Sequence, residues 1–172
     1  MRLLLLRHAK SAWDDPSLED IERPLSERGE RAARVMADLV VDEGLLPERV
    51  LCSPARRTRD TLAALQPYLG ADACMTLDGL YDSSTGDYVE QIRQHGGHAD
   101  PLMVIGHNPT IQALALILDD NGERVVRSDI SLKYPTGALA VLEVLLESWA
   151  DLEPGSGRLT AFFRPRDLTD RR

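Results

Sequence analysis

The chain has 172 residues, a formal net charge of -8 at pH 7 and 28% charged residues, and residues 1–172 read as a single domain with no break in composition. Its acidity, with a pI near 5.0, excludes a general nucleic-acid or anionic-membrane surface, because both need a basic face. Any anion site must therefore be local.

Two cysteines, Cys52 and Cys74, are too few and too far apart for a disulfide framework or a zinc site, and read as reduced, buried thiols. Only four leucines precede Arg7, and no run of eighteen apolar residues occurs, so neither a signal peptide nor a membrane span is expected. The expected compartment is the cytosol.

Residues 3–6, four consecutive leucines, predict a strand buried on both faces, as in the centre of a parallel sheet. Arg7 and His8 follow at its end, where open α/β sheets place their ligands. Residues 11–23 are polar and broken by Pro16, a loop crossing the mouth of the sheet. Ser26-Glu27-Arg28-Gly29 then opens a helix whose apolar positions, Ala32, Val35, Met36, Leu39 and Val40, recur at helical spacing until Gly44 stops it.

Residues 49–52 predict a second strand, followed by Ser53 as N-cap and Pro54 as first residue of a helix to about Leu69. A short third strand is expected over 73–77, a loop over 78–86 and a helix over 86–94. Residues 101–105 form a clear fourth strand; Asn108 and Pro109 again read as cap and first residue of an apolar helix ending at Leu118. Residues 138–146 and 158–163, joined through Glu153-Pro154-Gly155-Ser156-Gly157, predict an antiparallel hairpin at a sheet edge. The pattern is α/β: a three-layer α/β/α sandwich with a mostly parallel central sheet and an antiparallel C-terminal edge hairpin.

Three predicted strands end alike, in Arg7-His8, in Ser53-Pro54-Ala55-Arg56-Arg57 and in Gly106-His107-Asn108. If parallel, their ends share one rim and gather two histidines and at least two arginines. Guanidinium forks and helix N-termini make that rim an anion site. Two histidines add chemistry: a neutral imidazole attacks phosphorus while a second supports the shifting charge. His95 and His98 read as surface residues. Asp14-Asp15 and Asp119-Asp120 have no histidine or third carboxylate at ligand spacing, so no metal is expected, and no cofactor. Trp13 and Tyr81 lie in mouth loops as core plugs or as walls that recognise the phosphorylated group.

Arg7-His8-Ala9, the segment from Ser53 to Thr61 and Gly106-His107-Asn108-Pro109, in this order and at these strand ends, resemble the histidine phosphatase superfamily, named for its Arg-His-Gly motif. Arg23-Pro24-Leu25-Ser26-Glu27-Arg28-Gly29 is similar to the segment opening the first helix in that superfamily. The short chain, without inserted capping domains, resembles its SixA-type branch of phosphohistidine phosphatases. The resemblance runs from residue 2 to about 118 and implies a phosphoglycerate mutase-like fold.

It also implies roles: His8 as nucleophile, Arg7 and Arg57 as phosphoryl ligands, and His107 as stabiliser of the transferring charge. The family spacing of serine, arginine and threonine selects Ser53, Arg57 and Thr61. Ser11, Asn108 and Arg56 are expected to bind substrate. Ala9 stands where the family has glycine, which fits if the backbone there keeps φ below zero.

The larger branches carry a glutamate acid after the third strand, whereas residues 73–89 offer Asp78, Asp82 and Asp87 and no glutamate. Asp82 and Tyr81 are nearest in position to that acid. An alkoxide leaving group needs an acid worth roughly 100- to 10,000-fold, while imidazole, with a reference pKa of about 6.5, leaves far more easily. The expected activity is therefore hydrolysis of phosphohistidine on a protein partner through phospho-His8. The alternatives are a phosphatase of small esters such as a sugar phosphate or nucleotide, and a non-catalytic phosphate-binding module; a mutase fits less well, since the chain offers little sign of a lid. No nucleic-acid or membrane partner is expected.

Overall fold

The computed structural model describes residues 1–169. Strand β1 (Arg2–Arg7) splits its leucines between two cores: Leu3 and Leu5 point to one face, Leu4 and Leu6 to the other, and all four are fully buried. This is the period-two alternation of a strand covered on both sides. β1 pairs in parallel with β4 (Leu102–Gly106), which pairs in parallel with β2 (Arg49–Cys52), which pairs in parallel with β3 (Cys74–Thr76). On its other edge β1 pairs antiparallel with β5 (Leu139–Val144), and β5 with β6 (Gly157–Phe163). Among the described residues the sheet order is β3-β2-β4-β1-β5-β6.

Helices α1 (Glu27–Asp42), α2 (Arg56–Ala63) and α6 (Pro165–Thr169) lie on the Leu4/Leu6 face. Helices α3 (Thr85–His95), α4 (Thr110–Leu118) and α5 (Arg124–Leu132) cover the Leu3/Leu5 face. The three-layer architecture and the C-terminal edge hairpin are as expected. Among the described residues no helix is long and apolar enough to cross a membrane. Both cysteines are free; Cys52 is buried, but Cys74, near the sheet edge, is only half-buried.

Most helix ends follow local chemistry. The Ser26 hydroxyl accepts from Gly29 N–H at the start of α1, and Gly44, at φ +63°, follows its end. Ser84 and Asp87 form a reciprocal capping box on α3. Two expected starts are wrong: α2 begins at Arg56 and α4 at Thr110, two and one residues after the predicted prolines. Ser53 and Asn108 do not cap, because their side chains are engaged elsewhere on the rim. α2 also stops at Ala63, with a single 3-10 turn around Pro67 over residues 66–68. Helix α5 has no counterpart in the sequence expectation: Ile130 is its one buried residue, and Val125 and Leu132 are 73% and 81% exposed.

Candidate active site

Because β1, β2 and β4 are parallel, their C-terminal ends share one rim, stitched by His8 N–H to Gly106 O (3.0 Å) and Ser53 N–H to Ile105 O (3.1 Å). The chain crosses from β1 to β2 by α1 on one face and from β3 to β4 by α3 on the other, which opens a crevice at these ends. Arg7, His8, Arg57 and His107 meet there around a cavity of about 370 Å³.

His8 is 8% exposed, and its Nδ1 lies 2.7 Å from Ala9 O. A carbonyl only accepts, so Nδ1 carries the proton and Nε2 the lone pair. Burial lowers the His8 pKa to about 4; the Ala9 hydrogen bond opposes this and the charges of Arg57, Arg7 and Arg23 reinforce it. Ala9 N–H donates to Thr61 Oγ1 (3.0 Å), whose hydroxyl donates to Arg57 O (2.7 Å), so α2 fixes the backbone beside the histidine. Ala9 is fully buried and its φ is not positive, as the glycine replacement required.

The His107 ring stands 5.3 Å from that of His8, tilted by 55°. Its Nδ1 is 3.3 Å from Arg57 Nη2 and its Nε2 is 2.7 Å from Ser53 Oγ. A guanidinium only donates, so Nδ1 accepts and the Nε2 proton goes to the serine. Burial, then His8 and Arg57, depress the His107 pKa to about 3. Both imidazoles are therefore neutral at pH 7 in the free protein.

Arg7 Nη1 donates to Tyr134 O (2.7 Å), and Arg57 Nη1 to Asp20 O (2.7 Å). The Nε atoms of both arginines are buried without a protein partner. Such donors suit a tetrahedral oxyanion, which offers more acceptor sites than one carbonyl.

The expected residues fare differently. Ser11 is buried at the pocket wall and accepts from Arg23 Nη1 (2.9 Å). Asn108 lines the pocket, with Nδ2 donating to Gln112 Oε1 (3.1 Å) and Tyr134 O (3.3 Å). Arg56 is not brought to the rim: its guanidinium lies 3.7 Å from Asp60 on a separate groove between α1 and α2. Consecutive helical residues point about 100° apart, so only Arg57 faces the pocket. Tyr81 and Asp82 line an adjoining cavity of about 450 Å³ that shares Arg57, His107 and Asn108 with the His8 pocket. Asp82 is held at φ +50°. Trp13 is 75% exposed and stacks on Arg23, whose guanidinium carbon is 3.4 Å from the ring centre.

Asp119 is buried and accepts from Gly122 N–H, Leu159 N–H (both 2.9 Å) and Arg127 Nη1 (2.7 Å).

Asp20 is the site residue absent from the sequence expectation. Its Oδ1 accepts from Arg23 Nε (3.0 Å) and Nη2 (2.8 Å), and its Oδ2 from Arg57 Nη2 (3.1 Å) and Tyr81 OH (2.8 Å). Burial pushes its pKa up, but hydrogen bonds from Tyr81 and Arg23 and the charge of Arg57 outweigh it and bring it to about 2. Burial and the bond to Asp20 raise the Tyr81 pKa. The one sequence hint to Asp20 is its place three residues before Arg23, in a segment otherwise without pattern.

Parallel strands whose ends present two neutral imidazoles between arginines define a site suited to phosphoryl groups. Residues 3–100 match the histidine phosphatase superfamily (branch 1), and the chain belongs to that superfamily. It is 39% identical to an uncharacterised protein of Mycobacterium tuberculosis, over 94% of this chain and all of the relative. Among solved structures it resembles a candidate phosphohistidine phosphatase SixA from Nakamurella multipartita (TM-score 0.84, 27% identity, 95% of each chain). It also resembles the SixA candidate of Agrobacterium tumefaciens (TM-score 0.76, 32% identity, 95% of this chain and 98% of the other). The fold is phosphoglycerate mutase-like and of the SixA type.

Proposed function

We propose that the chain is a phosphatase that transfers the phosphoryl group of phosphohistidine on a partner protein to His8 Nε2 and then to water. The observation that carries this reading is the Nδ1–H of His8 bound to Ala9 O, which leaves the unprotonated Nε2 as the nucleophile. Arg7 and Arg57 receive the phosphoryl oxygens. As Nε2 bonds to phosphorus, the P–N bond of the substrate breaks, and an imidazole protonated on its other nitrogen leaves neutral. Phospho-His8, still protonated on Nδ1, is then the same kind of leaving group when water attacks. Burial, His8 and the arginines keep His107 neutral in the free protein; an incoming dianion counters the positive field and favours an imidazolium that donates to a phosphoryl oxygen.

The P–N bond is preferred because the carboxylate that contacts the pocket arginines has no proton to give. Asp20 is ionised at neutral pH, and the Tyr81 proton is directed at Asp20. An alkoxide would leave without the roughly 100- to 10,000-fold help of a positioned acid; an imidazole does not need it. The similarity to SixA candidates described as phosphohistidine phosphatases supports the same substrate class.

The test compares a phosphohistidine protein with a panel of sugar phosphates and nucleotides. The expected kcat/KM for the P–N substrate is at least about 100-fold the best ester. An ester turned over faster would overturn the protein-substrate reading, and tight binding without any phosphoenzyme would identify a binding module instead.

A further inference from the structure

We infer that the cleft beside the His8 pocket, between the end of β1, the start of α1 and residues 133–136, is a second anion site for an acidic group carried by the substrate. The inference rests on the phosphoryl-transfer reading of the His8 pocket and adds a specificity element to it. The cleft has a volume of about 340 Å³ and is walled by Lys10, Arg28, Lys133, Arg164 and Arg166. Among the described residues no Asp or Glu lines it, and it shares Arg7, Lys10 and Thr136 with the phosphoryl pocket.

Six cations in one cleft, Arg7 included, repel one another and cost stability. This chain has carboxylates to spare, 28 acidic residues against 20 basic, yet among the described residues the ion pairs of this cleft gather around Arg164 and Arg166. Arg164 pairs with Asp167 (2.6 Å) and lies 3.5 Å from Asp129, and Arg166 lies 3.3 Å from Asp167. Lys10, Arg28 and Lys133 form no ion pair among the described residues. In a protein of net charge -8 such a cluster focuses positive potential at one place beside the reaction centre.

The cluster is also built on fixed backbone. Ser26 donates to Lys10 O through its N–H (2.9 Å) and its hydroxyl (3.1 Å). A Cβ on Gly29 would fall 2.1 Å from that same oxygen, so only glycine allows α1 to approach, and Lys10 and Arg28 are held together. On the opposite wall, Arg7 anchors the 133–136 segment through Tyr134 O. A substrate with its phosphoryl group against His8 meets these cations with whatever flanks it. The complementary chemistry is a carboxylate or phosphate, found as acidic side chains around a phosphohistidine or as the second phosphate of a small bisphosphate.

The test uses Arg28→Glu/Lys133→Glu and the milder Arg28→Gln/Lys133→Gln pair, neither of which touches the His8 pocket, with folding checked by circular dichroism. Four probes are compared with nitrophenyl phosphate: phosphohistidine peptides with acidic or neutral flanks, and a small bisphosphate with its monophosphate. For the wild type, KM of a substrate bearing the second anion is expected to be at least about fivefold below that of its partner without one. Charge reversal abolishes that advantage, the glutamine pair reduces it, and kcat and the nitrophenyl phosphate reaction stay within about twofold. Whichever pair shows the variant-sensitive advantage, peptide or small molecule, identifies the source of the anion. Turnover of all probes with no advantage for the second anion, or an advantage that survives charge reversal, overturns the second site. No turnover of any probe overturns the phosphoryl-transfer reading, and this inference with it.

Discussion

Acidifying the free protein from pH 7 to pH 5 is expected to remove about 3 to 4 kcal/mol of unfolding free energy through His8 and His107 alone. Their pKa values are lowered from 6.5 to about 4 and about 3, so the folded state keeps both rings neutral while the unfolded chain takes up protons below about 6.5. The unfolded state then binds more protons, and stability falls with pH across the window from 6.5 down to those folded values. It is fully present above that window. Over pH 7 to 5 each histidine contributes about 2 kcal/mol, less whatever the two share through the same arginines.

Urea unfolding in low salt without phosphate measures this directly in wild type and in His8→Gln, His107→Gln and the double variant. Each single variant should lose about half of the pH dependence and the double variant most of it. Saturating phosphate should make the wild-type curve shallower, because an anion offsets the arginine charges while burial remains. Parallel pH curves for the wild type and the double variant would refute the claim that burial and the arginines keep these rings neutral.

Other expectations follow from single contacts. Ser53→Ala leaves His107 Nε2, now 2.7 Å from the hydroxyl, without its acceptor; thermal or urea unfolding should show a loss of about 1 to 3 kcal/mol, together with a lower kcat. Gly29→Ala forces a methyl onto Lys10 O and should destabilise by about 3 kcal/mol, at the upper end of overpacking costs, while a neutral result would mean the loop is free to move. Asp20→Asn should reduce kcat on phosphohistidine by less than about tenfold, because the ionised carboxylate donates no proton; a fall of more than about 100-fold would assign it acid–base work. Its side chain is 52% exposed, so its charge is worth only about 1 kcal/mol after screening, a contribution present above pH 3.8 and lost as pH falls through about 2.

The rim segments were legible because each follows a short apolar strand: Arg7-His8 after Leu6, residues 53–57 after Cys52 and His107 after Gly106, with the resemblance to the family's spacing needed to choose Arg57 over Arg56. Strand ends are local features, and three parallel strands put them on one rim without further information. The starts of α2 and α4 were misplaced for a related reason. Ser53 and Asn108 have the chemistry of N-caps, but the site recruits them, Ser53 to His107 and Asn108 to Gln112 and Tyr134. Composition does not distinguish a hydroxyl that caps from one that holds a ligand. Arg56 and Arg57 are equivalent as charges and differ only in helical phase. Asp20 was illegible because, beyond its local pairing with Arg23, its position depends on tertiary contacts with Arg57 and Tyr81 from two other segments of the chain.

The most direct measurement is a rapid quench of the wild type during turnover of a phosphohistidine substrate, with the bound phosphate located by mass spectrometry under alkaline conditions. The expected result is an acid-labile, base-stable phosphoryl group on His8, absent from His8→Ala along with turnover. Undiminished turnover in His8→Ala, or a phosphoryl group on another residue, would contradict the assignment of His8 as the nucleophile.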